Sequence, residues 1–161
     1  MTEQEFMRAE LLGRFRVIYE CQMKEPESIV VSMPLKYHYD LQWRHTDHTR
    51  EYIEVKNRDC KSDQFQTAMF NIEKVDNNEK FGDNFKYVAT YTDKKSIWFT
   101  PTTMPESGIT YGYGWIKKTS IDPNSPRIKQ KRVYYNTNDL DFKENCPIIE
   151  IYDDYDEQPN S

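Results

Sequence analysis

Between Asp40 and Lys56 the chain sets three ionisable side chains at a spacing suited to phosphodiester chemistry. In REYIEVKNRDC, residues 50–60, a period of two places Tyr52, Glu54 and Lys56 on one side of a strand and Ile53 and Val55 on the other. One side is apolar, and the other sets a carboxylate beside an ammonium. Upstream, Asp40 leads into a polar tip centred on Asp47, which is equidistant along the chain from Asp40 and Glu54. A hairpin closing symmetrically on that tip makes Asp40 and Glu54 cross-strand neighbours, with Cβ atoms roughly 4.5–5.5 Å apart. Two carboxylates so placed repel unless a cation compensates. A hard divalent ion such as Mg²⁺, with Mn²⁺ as its substitute, takes one or two carboxylates and leaves the rest of its shell to water and phosphate. Lys56, one side chain further along, can orient a water or neutralise charge on a phosphate.

Asp40 and the triplet Glu54-Val55-Lys56 resemble the signature of the PD-(D/E)xK nuclease superfamily, the restriction-endonuclease-like fold, with Tyr39 where the signature carries proline. The resemblance extends to the order of elements from about Thr2 to Thr92. It implies a Mg²⁺- or Mn²⁺-dependent deoxyribonuclease in which Asp40 and Glu54 bind metal, the Val55 carbonyl can join them, and Lys56 assists the attacking water. Many members offer a glutamate from the first helix, and Glu10 matches it; an exposed Glu10 paired with Arg14 at i+4 fits the sequence equally well. Small members that cut both strands act as dimers, so an isologous homodimer is expected.

The elements that must position these residues follow from periodicity. Met7, Leu11, Phe15 and Ile18, widened by Leu12 and Tyr19, predict an amphipathic helix from about Thr2 to Cys21, opened by a Thr2/Glu5 capping box. The run 28–33 (SIVVSM) reads as a buried first strand, followed by a second over Tyr37–His45 and a third over Glu51–Asn57. His45, Asp47 and His48 in the intervening tip read as a solvated turn in preference to metal ligands. Phe65, Met69, Ile72 and Val75 predict a second helix over residues 62–80 with Ser62 as N-cap. Strands over 85–92 and 96–100 follow, the first entered by a crossover and the second by a turn at Asp93–Lys95. The expected architecture is α/β: an αβββαβ core with a mixed central sheet flanked by two helices, extended by C-terminal β-hairpins.

Residues 1–100 form the expected nuclease-like core, 101–152 a β-rich extension of the same domain, and 153–161 a disordered acidic tail. Four groups near the second helix, Lys61, Gln64, Gln66 and Lys74, are candidates for contact with a nucleic-acid backbone, each of them balanced against a plain solvated helix face. In YGYGW, residues 111–115, aromatic rings alternate with glycines, as in a platform for unstacked bases or in a packed edge strand. Arg127, Lys129 and Lys131 alternate on one face of a strand, with Ile128 and Gln130 on the other, and Lys118 is a neighbour through the turn. Such a ribbon tracks phosphates, or protects a sheet edge.

The 161 residues carry a formal net charge of −5, so any DNA contact must come from a local basic surface. Cys21, Cys60 and Cys146, at unrelated spacings, point to a reducing cytoplasm rather than to a disulfide framework or structural zinc. MTEQEFMRAE reads as an acidic helix start rather than a targeting signal, and no apolar run reaches the ~18 residues of a membrane span. Beside the nuclease reading stand a noncatalytic nucleic-acid-binding or assembly protein with the same fold, and a Tyr-rich interaction module in which the EVK triplet is accidental.

Overall fold

The computed structural model describes residues 2–117, 124, 127–138 and 140–144. The architecture is mixed α/β, with two α-helices, two sheets and no barrel among the described residues. Helix α1 (Glu3–Lys24) opens with the capping box the sequence predicts, Thr2 accepting from the Glu5 N–H at 3.1 Å and Glu5 returning a bond to the Thr2 N–H at 3.0 Å. Five strands then form the main sheet in the order β1-β2-β3-β5-β6: β1 (Ile29–Ser32), β2 (Leu41–Arg44), β3 (Arg50–Asn57), β5 (Phe85–Thr90) and β6 (Ser96–Phe99). β3 and β5 run parallel, and the other neighbours are antiparallel. The crossover between β3 and β5 carries β4 (Thr67–Asn71), helix α2 (Ile72–Asn78) and a 3-10 stretch over Glu79–Asn84. β4 belongs to a second sheet, ordered β4-β8-β7, with β7 (Ile109–Lys117) and β8 (Arg127–Asn136).

Four sequence expectations are corrected here. The helix expected over 62–80 is mostly strand and loop: Thr67–Asn71 pairs with β8, burying Ala68 and Phe70, and only Ile72–Asn78 is α-helical. Cross-strand pairing there overrides the weaker helical spacing. Ser62 is no N-cap; it is buried and bonded to Asp93, while Asn71 caps α2 through the Glu73 N–H at 3.0 Å. The first strand is not buried, because β1 is the sheet edge and only its middle residues are half-covered. The second is shorter than expected, since residues 37–40 form bends rather than strand.

α1 also turns a different face inward. Met7, Phe15 and Tyr19 of the apolar stripe are exposed, whereas Gly13, Arg14, Arg16, Val17 and Cys21 are buried. Gly13 explains the choice: a Cβ there would stand 2.8 Å from the Asn57 Cβ, so its absence lets the helix lie close on β3. Val17 and Cys21 pack with Leu41, Trp43, Ile53, Val55 and Val88 on that side of the main sheet. The opposite side meets the second sheet, where Phe70 stacks on Tyr87 with centroids 3.7 Å apart, alongside Phe99, Val133 and Tyr135. Cys21 and Cys60 are free thiols; Cys146, Lys118 and the acidic tail lie outside the described residues. Among the described residues no helix is long and apolar enough to cross a membrane.

Candidate active site

The hairpin register accounts for the placement of Asp40. β2 and β3 pair Arg44 with Arg50 through Leu41 with Ile53, symmetric about the tip at Asp47. At Asp40 the ladder ends: its N–H donates to the Ile53 carbonyl at 2.9 Å, while its own carbonyl accepts from the Met33 N–H at 2.9 Å. Leu41 and Asp40 thus both address Ile53, the two-against-one pattern of a bulge, which re-aims a side chain at the end of a ladder. The Asp40 carboxylate turns to β3 and accepts from the Val55 N–H at 2.8 Å through Oδ2. In a strand the N–H and C=O of one residue point to the same side, so the Val55 carbonyl faces the side on which Asp40 stands.

Arg14 of α1 holds the other oxygen, with Nη2 3.0 Å from Asp40 Oδ1. This guanidinium is 2% exposed and also donates to Ser32 Oγ and the Met33 carbonyl. Arg14 therefore serves Asp40, and Glu10, one turn earlier, feels it only as a neighbouring charge. Burial first, and then Asp40, raise the Glu10 pKa against the pull of Arg14, Lys56 and Lys74.

Glu54 lies on β3 beneath the second sheet and is 9% exposed. Its Oε1 is 3.3 Å from Lys74 Nζ, while Oε2 is buried without a hydrogen-bond partner. Burial, and then the neighbouring Asp40, raise this carboxyl from 4.5 to about 8, with Lys74 opposing. Lys56 is exposed on β3, and desolvation, then the Arg58 charge, lower its pKa, while Glu54 and Glu10 pull it back up. Four elements or their flanks thus bring Glu10, Arg14, Asp40, Glu54, Lys56 and Lys74 into one electrostatic neighbourhood. A buried carboxyl that keeps its proton near neutral pH beside a second carboxylate can share that proton, or give it up to a cation.

The remaining candidates divide. Lys74 joins the cluster through Glu54, although from a helix that starts ten residues later than expected. Lys61, Gln64 and Gln66 do not lie on a helix; they are exposed on the loop between β3 and β4, so the helix-face argument for them falls with the helix. Arg127, Lys129 and Lys131 are exposed along β8, outside the carboxylate cluster. His45 is bound to Glu25 at 2.6 Å, and Asp47 is bonded within its own turn to Thr49. Sequence reasoning does not place Arg14, Arg58 or Arg132 near these carboxylates: Arg14 enters it only as a partner of Glu10. Arg14 carried one signal, a cation one residue after a helix-interior glycine, which marks a face held close to another backbone.

No protein-family model, curated protein or solved structure matches the chain.

Proposed function

We propose that the chain is a metal-dependent deoxyribonuclease that hydrolyses phosphodiester bonds at the Asp40, Glu54 and Lys56 cluster. The observation that carries the reading is the Glu54 carboxyl, buried beside Asp40 with one oxygen unpartnered. An orphaned, buried carboxylate oxygen is costly and calls for a partner that is present only in the working state. The order of elements supports the same reading: a helix, three antiparallel strands, a second helix and a parallel strand, as in the restriction-endonuclease-like fold, with β4 inserted before α2.

The donor set fits Mg²⁺ or Mn²⁺. Among the described residues no three His, Cys, Asp or Glu side chains form a metal group, and Mg²⁺ does not need three, since it keeps several waters beside one or two carboxylates. Asp40, Glu54 and the Val55 carbonyl would hold the ion. When bound, it would supply a water of lowered pKa and neutralise charge on the phosphoryl oxygens. Arg14 positions Asp40, and the bond from the Val55 N–H fixes its second oxygen. Lys56, with its lowered pKa, is suited to orient the water or to contact a phosphoryl oxygen. Lys74 holds Glu54 in the absence of another partner and stands ready for a phosphate. Glu10 completes the acidic side. An isologous dimer would present one such site to each strand of a duplex.

One observation favours a second reading, a nucleic-acid-binding or assembly protein that keeps the fold without cutting. Arg14 already satisfies Asp40, as a guanidinium does where a cation is no longer used. The deciding experiment is cleavage of single-stranded, duplex, flapped and four-way-junction DNA with Mg²⁺ or Mn²⁺, comparing the wild type with Glu54→Ala and Lys56→Ala. Metal-dependent cutting lost in both variants is the expected result. A folded protein that binds DNA and cuts none of these substrates with either ion refutes the hydrolytic reading and leaves the second.

A further inference from the structure

The β7–β8 ribbon carries a face that the described residues leave uncovered. Ile109 at the start of β7 packs against the core, but Tyr111 and Tyr113, on the same face, are 63% and 62% exposed. Across the ladder Tyr111 pairs with Val133, and Tyr113 with Lys131. The Lys131 ammonium stands over the Tyr111 ring at 5.4 Å and the Lys129 ammonium over the Tyr113 ring at 4.5 Å. Each cation lies one diagonal step from its ring, and Arg127 continues the alternation toward the ribbon's end.

The reverse face explains the glycines. A Cβ on Gly112 would stand 3.2 Å from the Tyr134 ring, and one on Gly114 would collide with the Arg132 guanidinium. Tyr134 and Arg132 therefore fold flat across β7 on one side while the two tyrosines project from the other.

We propose that Tyr111 and Tyr113 with Lys129 and Lys131 form a binding platform for a single-stranded stretch of DNA. Each ring offers a flat face on which a base can stack without regard to sequence, and each lysine offers a cation to the adjoining phosphate. The repeat decides between unpaired and paired strands. Alternate residues of a strand are roughly 6.7 Å apart, about twice the 3.4 Å rise of one strand in a duplex. Successive tyrosines therefore match bases drawn apart from one another, whereas a duplex hides its base faces and would meet the lysines alone. The chain's net charge of −5 makes the ribbon a local exception, so its cations steer phosphate to this face. The choice of DNA rests on the deoxyribonuclease reading, and the substrate it then implies is DNA with an unpaired segment.

Fluorescence anisotropy of the full chain in EDTA tests the platform without requiring cleavage. The probes are labelled single-stranded DNA, blunt duplex DNA and single-stranded RNA of one length. The expected result is a single-stranded DNA affinity ~10-fold or more above that for duplex. The combined Tyr111→Ala and Tyr113→Ala variant should lose ~30-fold or more, the equivalent of ~1 kcal/mol of stacking at each of two bases. Phe at both positions should restore binding, and Lys129→Gln with Lys131→Gln should flatten the salt dependence. Equal affinity for duplex, a preference for RNA, or full binding by the double alanine variant overturns the proposal. Tyrosine-dependent self-association in sedimentation velocity, without DNA binding, overturns it in favour of a second copy of the chain. A chain that binds single strands through its tyrosines but cuts nothing keeps the platform and refutes the hydrolytic reading; cutting that is indifferent to the tyrosines does the reverse.

Discussion

Glu54→Gln separates the cost of the buried carboxyl from its use. In the folded protein the Glu54 carboxyl is raised from 4.5 to about 8, burial being the larger cause and Asp40 the second. The unfolded chain releases this proton near the ordinary value, so between the two the native state holds one proton more. Stability is then fully present below the unfolded value and falls as pH rises through the folded one, by up to about 1.4 kcal/mol per pH unit. The glutamine variant keeps the shape and the hydrogen-bonding reach toward Lys74 without titrating. Urea unfolding of both proteins at about pH 5.5 and about pH 7.5 should show the variant gaining roughly 2–3 kcal/mol relative to wild type across that interval. Glu10 and Lys56 titrate in both proteins, so their own contributions cancel to first order in the difference. A difference in unfolding free energy that does not change with pH would show that Glu54 is ionised in the folded protein near neutrality, and the argument for its orphaned oxygen would fail.

Cation binding should follow the same proton: apparent Mg²⁺ affinity, measured by titration calorimetry, should fall by up to about tenfold per pH unit below about 8 and release a proton visible as a dependence on buffer ionisation heat. Arg14→Leu leaves Asp40 buried without its cation and should destabilise the protein by about 3–5 kcal/mol in urea unfolding. Gly13→Ala gains up to ~1 kcal/mol of helix propensity but sets a Cβ 2.8 Å from that of Asn57; overpacking at ~1–3 kcal/mol should outweigh it, giving a lower melting temperature. Phe70→Ala removes the ring stacked on Tyr87 between the sheets and should cost about 3–5 kcal/mol.

Local sequence made the hairpin legible. Its tip is short and polar, the flanking strands alternate cleanly, and the symmetry about Asp47 gives the register as far as Leu41 and Ile53. The expected direct pairing of Asp40 with Glu54 does not form, because the bulge turns Asp40 to the Ile53 carbonyl and the Val55 N–H. The parallel relation of β3 and β5, expected from a long helical crossover, holds, although the crossover is mostly strand and loop. What misled was the crossover. Phe65, Met69, Ile72 and Val75 satisfy a helical period, and nothing local says that Thr67–Asn71 will be claimed by β8 some sixty residues later. The same non-local cause hid the true inner face of α1. The apolar count favours Met7, Phe15 and Tyr19, but the close approach at Gly13 and the ion pair of Arg14 decide the rotation of the helix. Of the site, the strand-borne pair Glu54 and Lys56 was readable from alternation alone, whereas Arg14, Arg58 and Arg132 depend on elements that meet only in three dimensions.

The charges of this cluster are a poor way to hold a fold together. A buried ion pair such as Arg14 with Asp40 gains little over apolar side chains of similar volume, because desolvating both partners offsets most of their attraction. Glu54 adds an unpartnered oxygen, and the crowding of Lys56 disfavours its charged form. Yet the surrounding structure is built to retain them: a bulge ends β2 at Asp40, a glycine draws α1 close on β3, and α2 begins where Lys74 can reach Glu54. Packing of the apolar faces on both sides of the main sheet, among Val17, Leu41 and Ile53 on one and Phe70, Tyr87 and Val133 on the other, supplies the stability that this cluster costs. Perturbed ionisable groups held together at such a cost are the pattern on which the proposed hydrolytic reading rests.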